Sequence, residues 1–160
     1  ALEEKALKEA GRGMSNLQKV LAHSPSALQA YTDLETLNQQ GSLDRLTKQR
    51  IALTLAQLNN CTYSVSQHTR QAREAGLNSS EIDSNLAGTS QDAKGAVAVQ
   101  FARTLATHQG NVNPQQWQEI RQAGYSDSDI VEIIAHVGMN ILGSLFGKAC
   151  NLQNDFPKVE

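Results

Sequence analysis

Cys61, Ser64 and His68 are the residues of this chain whose types and spacing could carry chemistry. They lie in the run Asn59-Asn60-Cys61-Thr62-Tyr63-Ser64-Val65-Ser66-Gln67-His68, where one apolar helical pattern ends and a more polar one begins. An asparagine side chain accepts readily from an early helical N–H, so the pair Asn59-Asn60 predicts a cap and a helix opening at Cys61. Unpaired N–H groups and the positive end of the helix dipole in a first turn stabilise a thiolate. At ~100° per residue, side chains at offsets of zero, three and seven stay within ~60° of one another. One helical face would then present a thiol, a hydroxyl and an imidazole on consecutive turns.

The chemistry this suggests is that of a reactive thiol, with oxidation to a sulfenic acid and proton handling by the imidazole; a protonated His68 would further favour the thiolate. The bland alternative is a small buried hydrophobe at Cys61 and a histidine satisfied by one hydrogen bond. One cysteine and one histidine at this spacing lack the remaining ligands of a metal site, so neither metal nor cofactor is expected. Tyr63 is expected to pack, or to line a pocket. Cys150 reads as a buried residue of the last helix, and His23 and His108 as surface residues at helix ends.

The elements that must position these residues all read as helices. Leu2–Ala10 suggests a short helix stopped by Gly11 and Gly13, and Ser15 or Asn16 can cap the next, with Leu17, Val20 and Leu21 on its apolar side. Ser24-Pro25 supplies a cap and a first-turn proline for a helix reaching Leu37. Asp44 can open a central helix with Ile51, Leu55 and Leu58 on one side and Leu53 and Ala56 on the other, a pattern expected of burial on two faces. The site helix is predicted from Cys61 to about Ala75, closed by Gly76. A short helix from Ser79 to about Gly88 follows, then a long one from Asp92 to His108 bearing Val97, Phe101 and Leu105. Pro114 opens the helix carrying Trp117 and Ile120. Ser126 to Asp129 cap a last helix running to about Asn151. No alternating apolar pattern of strand length stands out, so the expectation is one all-α domain over residues 1–160.

The last helix carries two apolar stripes: Ile130, Ile134, Val137, Ile141 and Leu145, and Val131, Ala135, Leu142, Phe146 and Ala149. Core on one side and a partner subunit on the other would account for both. Between them runs a narrow strip of His136, Asn140, Gly143 and Gly147, whose small residues admit a neighbouring backbone and whose polar pair suits a pocket.

With 14 Lys+Arg against 16 Asp+Glu, interspersed and with no basic cluster, nothing predicts attraction to nucleic acid or to an anionic membrane. The start Ala1-Leu2-Glu3-Glu4-Lys5 is charged, unlike a signal peptide, and no uninterrupted apolar run approaches the ~20 residues that span a bilayer. Two cysteines far apart do not make a secreted disulfide framework, so the cytoplasm is the expected compartment.

At these residues the chain resembles the AhpD-like branch of the carboxymuconolactone decarboxylase family. That branch carries a glutamate, then C-x-x-C, then a histidine four residues after the second cysteine. Cys61 and His68 match the first cysteine and the histidine, Ser64 stands at the second cysteine, and Gln49 stands at the glutamate, twelve residues before Cys61. Leu21-Ala22-His23-Ser24-Pro25, Leu28-Gln29-Ala30-Tyr31, Gln122-Ala123-Gly124-Tyr125-Ser126-Asp127 and Asp155-Phe156-Pro157 extend the resemblance over most of the chain.

The resemblance implies an AhpD-like helical fold assembled as a homo-oligomer, a trimer or hexamer in some members built from dimers. It also implies a thiol-dependent peroxidase acting on a small-molecule substrate with a thiol reductant. In that chemistry the second cysteine attacks the peroxide and the first resolves the sulfenic acid. Ser64 cannot make that attack, because a hydroxyl ionises far above a thiol (~8.5), and Gln49 hydrogen-bonds without exchanging a proton near neutral pH. Three readings therefore stay open: a one-thiol peroxidase centred on Cys61; a decarboxylase-like or isomerase-like acid–base enzyme using His68, Gln49 and His136; and a non-catalytic oligomer.

Overall fold

The computed structural model describes residues 14–155, so the helix expected over Leu2–Ala10 lies outside the described part. The described chain runs through α1 (Asn16–Leu21), α2 (Pro25–Leu34), a 3-10 turn (Glu35–Asn38), α3 (Arg45–Leu58), α4 (Thr62–Glu74), α5 (Ser79–Leu86), α6 (Ala93–Thr107), α7 (Pro114–Gln122) and α8 (Asp127–Ala149). It contains no strand among the described residues, and the protein is all-α.

Short polar side chains set the helix starts. Ser15, Ser24, Asp44, Asn78, Asp92, Asn113 and Ser126 each accept from the N–H three residues on, and Ser15, Asn113 and Ser126 complete reciprocal capping boxes. Such a cap is worth ~1 kcal/mol. Gly76, at φ +102°, takes the left-handed conformation that ends α4.

The central helix is α3. Every residue from Ile51 to Ala56 is buried, because α4, α5, α6 and α8 pack around it. Ile51 and Leu55 face Phe101, Ile120, Ile133 and Val137 on one side, while Leu53 meets Ala72, Leu77 and Ile82 on the other. Arg50 pairs with Glu81 at 3.0 Å and ties α3 to α5. Burial works to raise the Glu81 carboxyl, but hydrogen bonds from Ser90, Asn85, Gln91 and Arg50 outweigh it and hold the group below the usual range.

The last helix departs from the expected pattern. Val131, Ile134 and Leu145, drawn from both apolar stripes, lie exposed, whereas the strip His136, Asn140, Gly143 and Gly147 is buried with Ile130, Ile133 and Val137. The small residues decide this. A Cβ on Gly143 would lie 3.1 Å from the Tyr31 hydroxyl, and one on Gly147 would lie 2.6 Å from Cys61 Sγ, so this is the side that neighbours can approach. By length and composition α8 could cross a membrane, but half of its most apolar window is buried inside the protein. Two helix ends also differ from expectation: α2 gives way to the 3-10 turn after Leu34, and α8 stops at Ala149.

Candidate functional site

The corner between α3 and α4 places the thiol. Asn59 ends α3, and Asn60 takes a left-handed conformation at φ +51°, which asparagine tolerates better than most residues. That turn moves the start of α4 one residue later than the sequence suggests. Cys61, with extended backbone (φ −105°, ψ 98°), is itself the N-cap, and its side chain makes no capping hydrogen bond. Its N–H donates to the Ala56 carbonyl at 3.2 Å and its own carbonyl accepts from Val65 at 2.9 Å. An extended residue does not follow the 100° helical step, so the face shared by Cys61, Ser64 and His68 is not the ideal helical one.

Tertiary contacts instead set Cys61 and Ser64 each against α8. Cys61 Sγ presses on the backbone at Gly147, and Ser64 Oγ lies 3.5 Å from Ser144 Oγ, one turn away on α8. The two pairs run in opposite directions along the two helices, so α4 and α8 are antiparallel where they touch.

Around the thiol the surroundings are apolar. Cys61 is 2% exposed and clusters with Leu17, Leu21, Leu28 and Tyr63, against which Tyr31, Phe146 and Leu152 pack. Tyr63 is a wall of this compartment. Its hydroxyl donates to Asp155 Oδ2 at 2.6 Å and accepts from the Leu17 N–H at 3.3 Å. Burial first, and then the Asp155 carboxylate, push its pKa up to about 12. Cys150, expected to be buried, is an exposed residue capping the C-terminus of α8, because the helix ends before it; both cysteines are free.

His68 is half-buried, with Nδ1 3.3 Å from Gln71 Oε1. Desolvation lowers its pKa to about 4, with the Gln71 contact pulling weakly the other way. The imidazole is therefore neutral at pH 7, contrary to the expectation that its positive charge would stabilise a thiolate. Gln49 does not hydrogen-bond His68; its Oε1 is enclosed without a partner.

A second polar region lies further along α8. His136 is 1% exposed, and its Nε2 has no partner. Burial, followed by the nearby Lys48 ammonium, lowers its pKa to about 4, while the Leu37 carbonyl and Glu132 act in the opposite direction. Lys48 is buried too, and its Nζ donates to the Gln40 carbonyl at 2.9 Å. Asn140 Nδ2 turns back to the His136 carbonyl at 2.7 Å. Sequence reasoning named His136 and Asn140 but missed Ser144, although the four-residue spacing of His136, Asn140 and Ser144 along an apolar helix was a usable signal. It also missed Tyr31 and Lys48, which reach the strip only through the chain reversal between α2 and α3. Among the described residues no group of three or more His, Cys, Asp and Glu side chains could hold a metal ion. A cleft of about 220 Å³ between α6 and α7, lined by Ala96, Val97, Gln100, Phe101, Gln116 and Glu119, includes none of the candidate residues.

An all-helical fold with a cysteine at the α3–α4 corner, backed by the last helix, defines a class, and the sequence agrees with it. The profile of the carboxymuconolactone decarboxylase family matches residues 25–108, and the chain belongs to that family. YdfG of Bacillus subtilis (strain 168), an uncharacterized protein, is 30% identical over 53 residues, which is 33% of this chain and 36% of YdfG, so the match spans about a third of that relative. Among solved structures, an alkylhydroperoxidase AhpD core protein from Ralstonia eutropha JMP134, described as an uncharacterized peroxidase-related protein, superposes with a TM-score of 0.84 at 19% identity. It covers 95% of this chain and 84% of its own. The debrominase Bmp8, in complex with 2,3,4-tribromopyrrole, superposes with a TM-score of 0.77 at 15% identity over 94% of this chain and 82% of its own. The fold is thus AhpD-like, and proteins of more than one activity share it.

Proposed function

We propose that this protein is a one-thiol peroxidase of the AhpD-like type, with Cys61 as the reacting residue. The observation that carries the reading is the seating of the Cys61 thiol on Gly147, with Ser64 and Ser144 one turn further along the same seam. In the first step the Cys61 thiolate attacks a hydroperoxide oxygen. An S–O bond forms, the O–O bond breaks, and the alkoxide leaves with a proton as an alcohol. His68, with a pKa near 4, is too weak a base to hold the thiol proton, so the proton that the thiol gives up is the one the departing alkoxide takes. Ser64 supplies no second sulfur, so the sulfenic acid condenses with an external thiol to a mixed disulfide and water. A second thiol then releases Cys61 and departs as the oxidised disulfide. A cytosolic setting, where thiols are kept reduced, suits this cycle.

Hydroperoxide consumption with dithiothreitol tests the reading. Wild type should turn over, Cys61→Ser should not, and Ser64→Cys should consume peroxide faster while showing an internal disulfide by mass spectrometry. Peroxide loss that is equal in wild type and Cys61→Ser would refute it. A second reading, acid–base chemistry on a small ring substrate, is favoured by the unpaired His136 Nε2 beside Lys48; activity that survives Cys61→Ser but not His136→Gln would replace the first reading with this one.

The assembly we propose is a homo-oligomer, a trimer or hexamer, in which a second copy covers the exposed Val131, Ile134 and Leu145 of α8. Light scattering should return a multiple of 17.3 kDa for wild type, and Ile134→Glu should shift it toward the monomer. A wild-type monomer at micromolar concentration would refute the assembly.

A further inference from the structure

The compartment that hides Cys61 is closed by two chain segments that meet over it. The first is α1, whose Leu17 and Leu21 belong to the same buried apolar cluster as the thiol. A helix leaves its first N–H groups without internal partners, and in α1 each of the first three is met from outside its backbone ladder. Asn16 N–H donates to Asp155 Oδ1 at 2.7 Å, Leu17 N–H to the Tyr63 hydroxyl at 3.3 Å, and Gln18 N–H to Ser15 Oγ at 3.1 Å. The second segment is the stretch after α8. Leu152 packs on the same cluster, the Gln153 carbonyl accepts from Asn16 Nδ2 at 2.8 Å, and Asp155 Oδ2 accepts from Tyr63 at 2.6 Å. One carboxylate thereby holds the start of α1 and the tyrosine two residues after the thiol.

We propose that Asp155, Tyr63 and the first turn of α1 form a latch whose local release admits reagents to Cys61. The latch regulates the thiol assigned above and so rests on that reading for its biological sense, though not for its test. Its geometry explains how a thiol 2% exposed can react without unfolding the protein. The closing contacts are few, peripheral to α3, and centred on one carboxylate, so they can open while the Ile51–Ala56 core stays packed. Charge-assisted hydrogen bonds at this one carboxylate are the main fastening. The Tyr63 ring remains part of the wall whether or not its hydroxyl is engaged.

The experiment is iodoacetamide labelling of the full chain at neutral pH, read by peptide mass spectrometry, with hydrogen exchange of the α3 amides measured alongside. In Asp155→Ala, Cys61 should label roughly tenfold faster or more, the factor expected from loss of a charge-assisted hydrogen bond. Tyr63→Phe, which keeps the ring and removes every contact of the hydroxyl, should move the rate the same way. Exposed Cys150 should label at the wild-type rate in all three proteins, and α3 exchange should not change. Unaltered Cys61 labelling in both variants overturns the latch. So does α3 exchange that accelerates by the same factor, since the thiol would then be exposed by global unfolding. Faster labelling of Cys61 with no peroxide turnover in any variant would support the latch and remove the peroxidase reading.

Discussion

The two ends of the strip that α8 buries are built on opposite principles. At the Gly147 end the Cys61 sulfur fills its space against aliphatic and aromatic neighbours, and the contact is so close that only glycine fits beneath it. At the His136 end the burial is as complete, yet hydrogen-bonding capacity goes unused: Nε2 of His136 has no partner, and a buried lysine stands beside it with no carboxylate in a salt bridge among the described residues. Buried polar groups are normally satisfied, and an orphan costs ~1–3 kcal/mol. The difference teaches that burial alone does not mark a site. The thiol end has spent its surface on packing and needs an opening motion to react, whereas the polar end keeps unmet capacity that a ligand or proton could use.

Acidification should discriminate the two ends most strongly. A histidine whose folded pKa lies near 4, below its ordinary value of 6.5, stabilises the fold above pH 6.5, and that contribution is lost as pH falls toward 4, because the unfolded chain takes up the proton first. For the fully buried His136 the loss should be on the order of 1–3 kcal/mol. His68, half-buried, should add less, and Glu35, whose carboxyl is raised by burial, works the other way. Urea unfolding from pH 7.5 to 4.5 should therefore show falling stability, with a visibly flatter profile in His136→Leu. An identical slope in both proteins would mean that the polar end does not hold a neutral histidine.

Substitution of glycines sharpens the other half of the comparison. Alanine in a helix is favoured over glycine by ~1 kcal/mol, so the sign of each change reports the space available. Gly147→Ala drives a Cβ into Cys61 Sγ and should cost ~1–2 kcal/mol net. Adding Cys61→Ala should recover part of that, by ~1 kcal/mol of coupling. Gly138→Ala, beside Ile134 on the side that a single chain leaves open, with nothing within 4 Å of the new methyl, should instead gain ~0.5–1 kcal/mol when made in the Ile134→Glu background, where no second copy covers it. Chemical denaturation of Gly147→Ala, Cys61→Ala, their combination and Gly138→Ala, each beside its parent, measures all of this. Equal effects at Gly147 and Gly138 would mean that the thiol is not seated on α8 as described.

Much of this molecule was legible in the chain itself. Helix number and order after the first segment, the caps at Asp44, Asp92 and Ser126, the glycine stop at Gly76 and the double-sided burial of α3 follow from local rules, since capping, φ preference and apolar period act over a few residues. Cys61, Ser64 and His68 were identifiable for the same reason: their types and spacing are local. Other properties were decided only when helices distant in sequence came together. Asn60 adopts a left-handed turn, which moves the cap to Cys61 and takes its side chain off the ideal helical face. The side of α8 that goes inside is the one bearing Gly143 and Gly147, because close approach of Tyr31 and Cys61 outweighs the larger apolar stripes beside it. His68 is neutral because its surroundings desolvate it, a property no spacing encodes. The closure over Cys61 joins Asn16, Tyr63 and Asp155, three residues from the start, middle and end of the described chain, which hydrogen bonds can link only after the fold has formed.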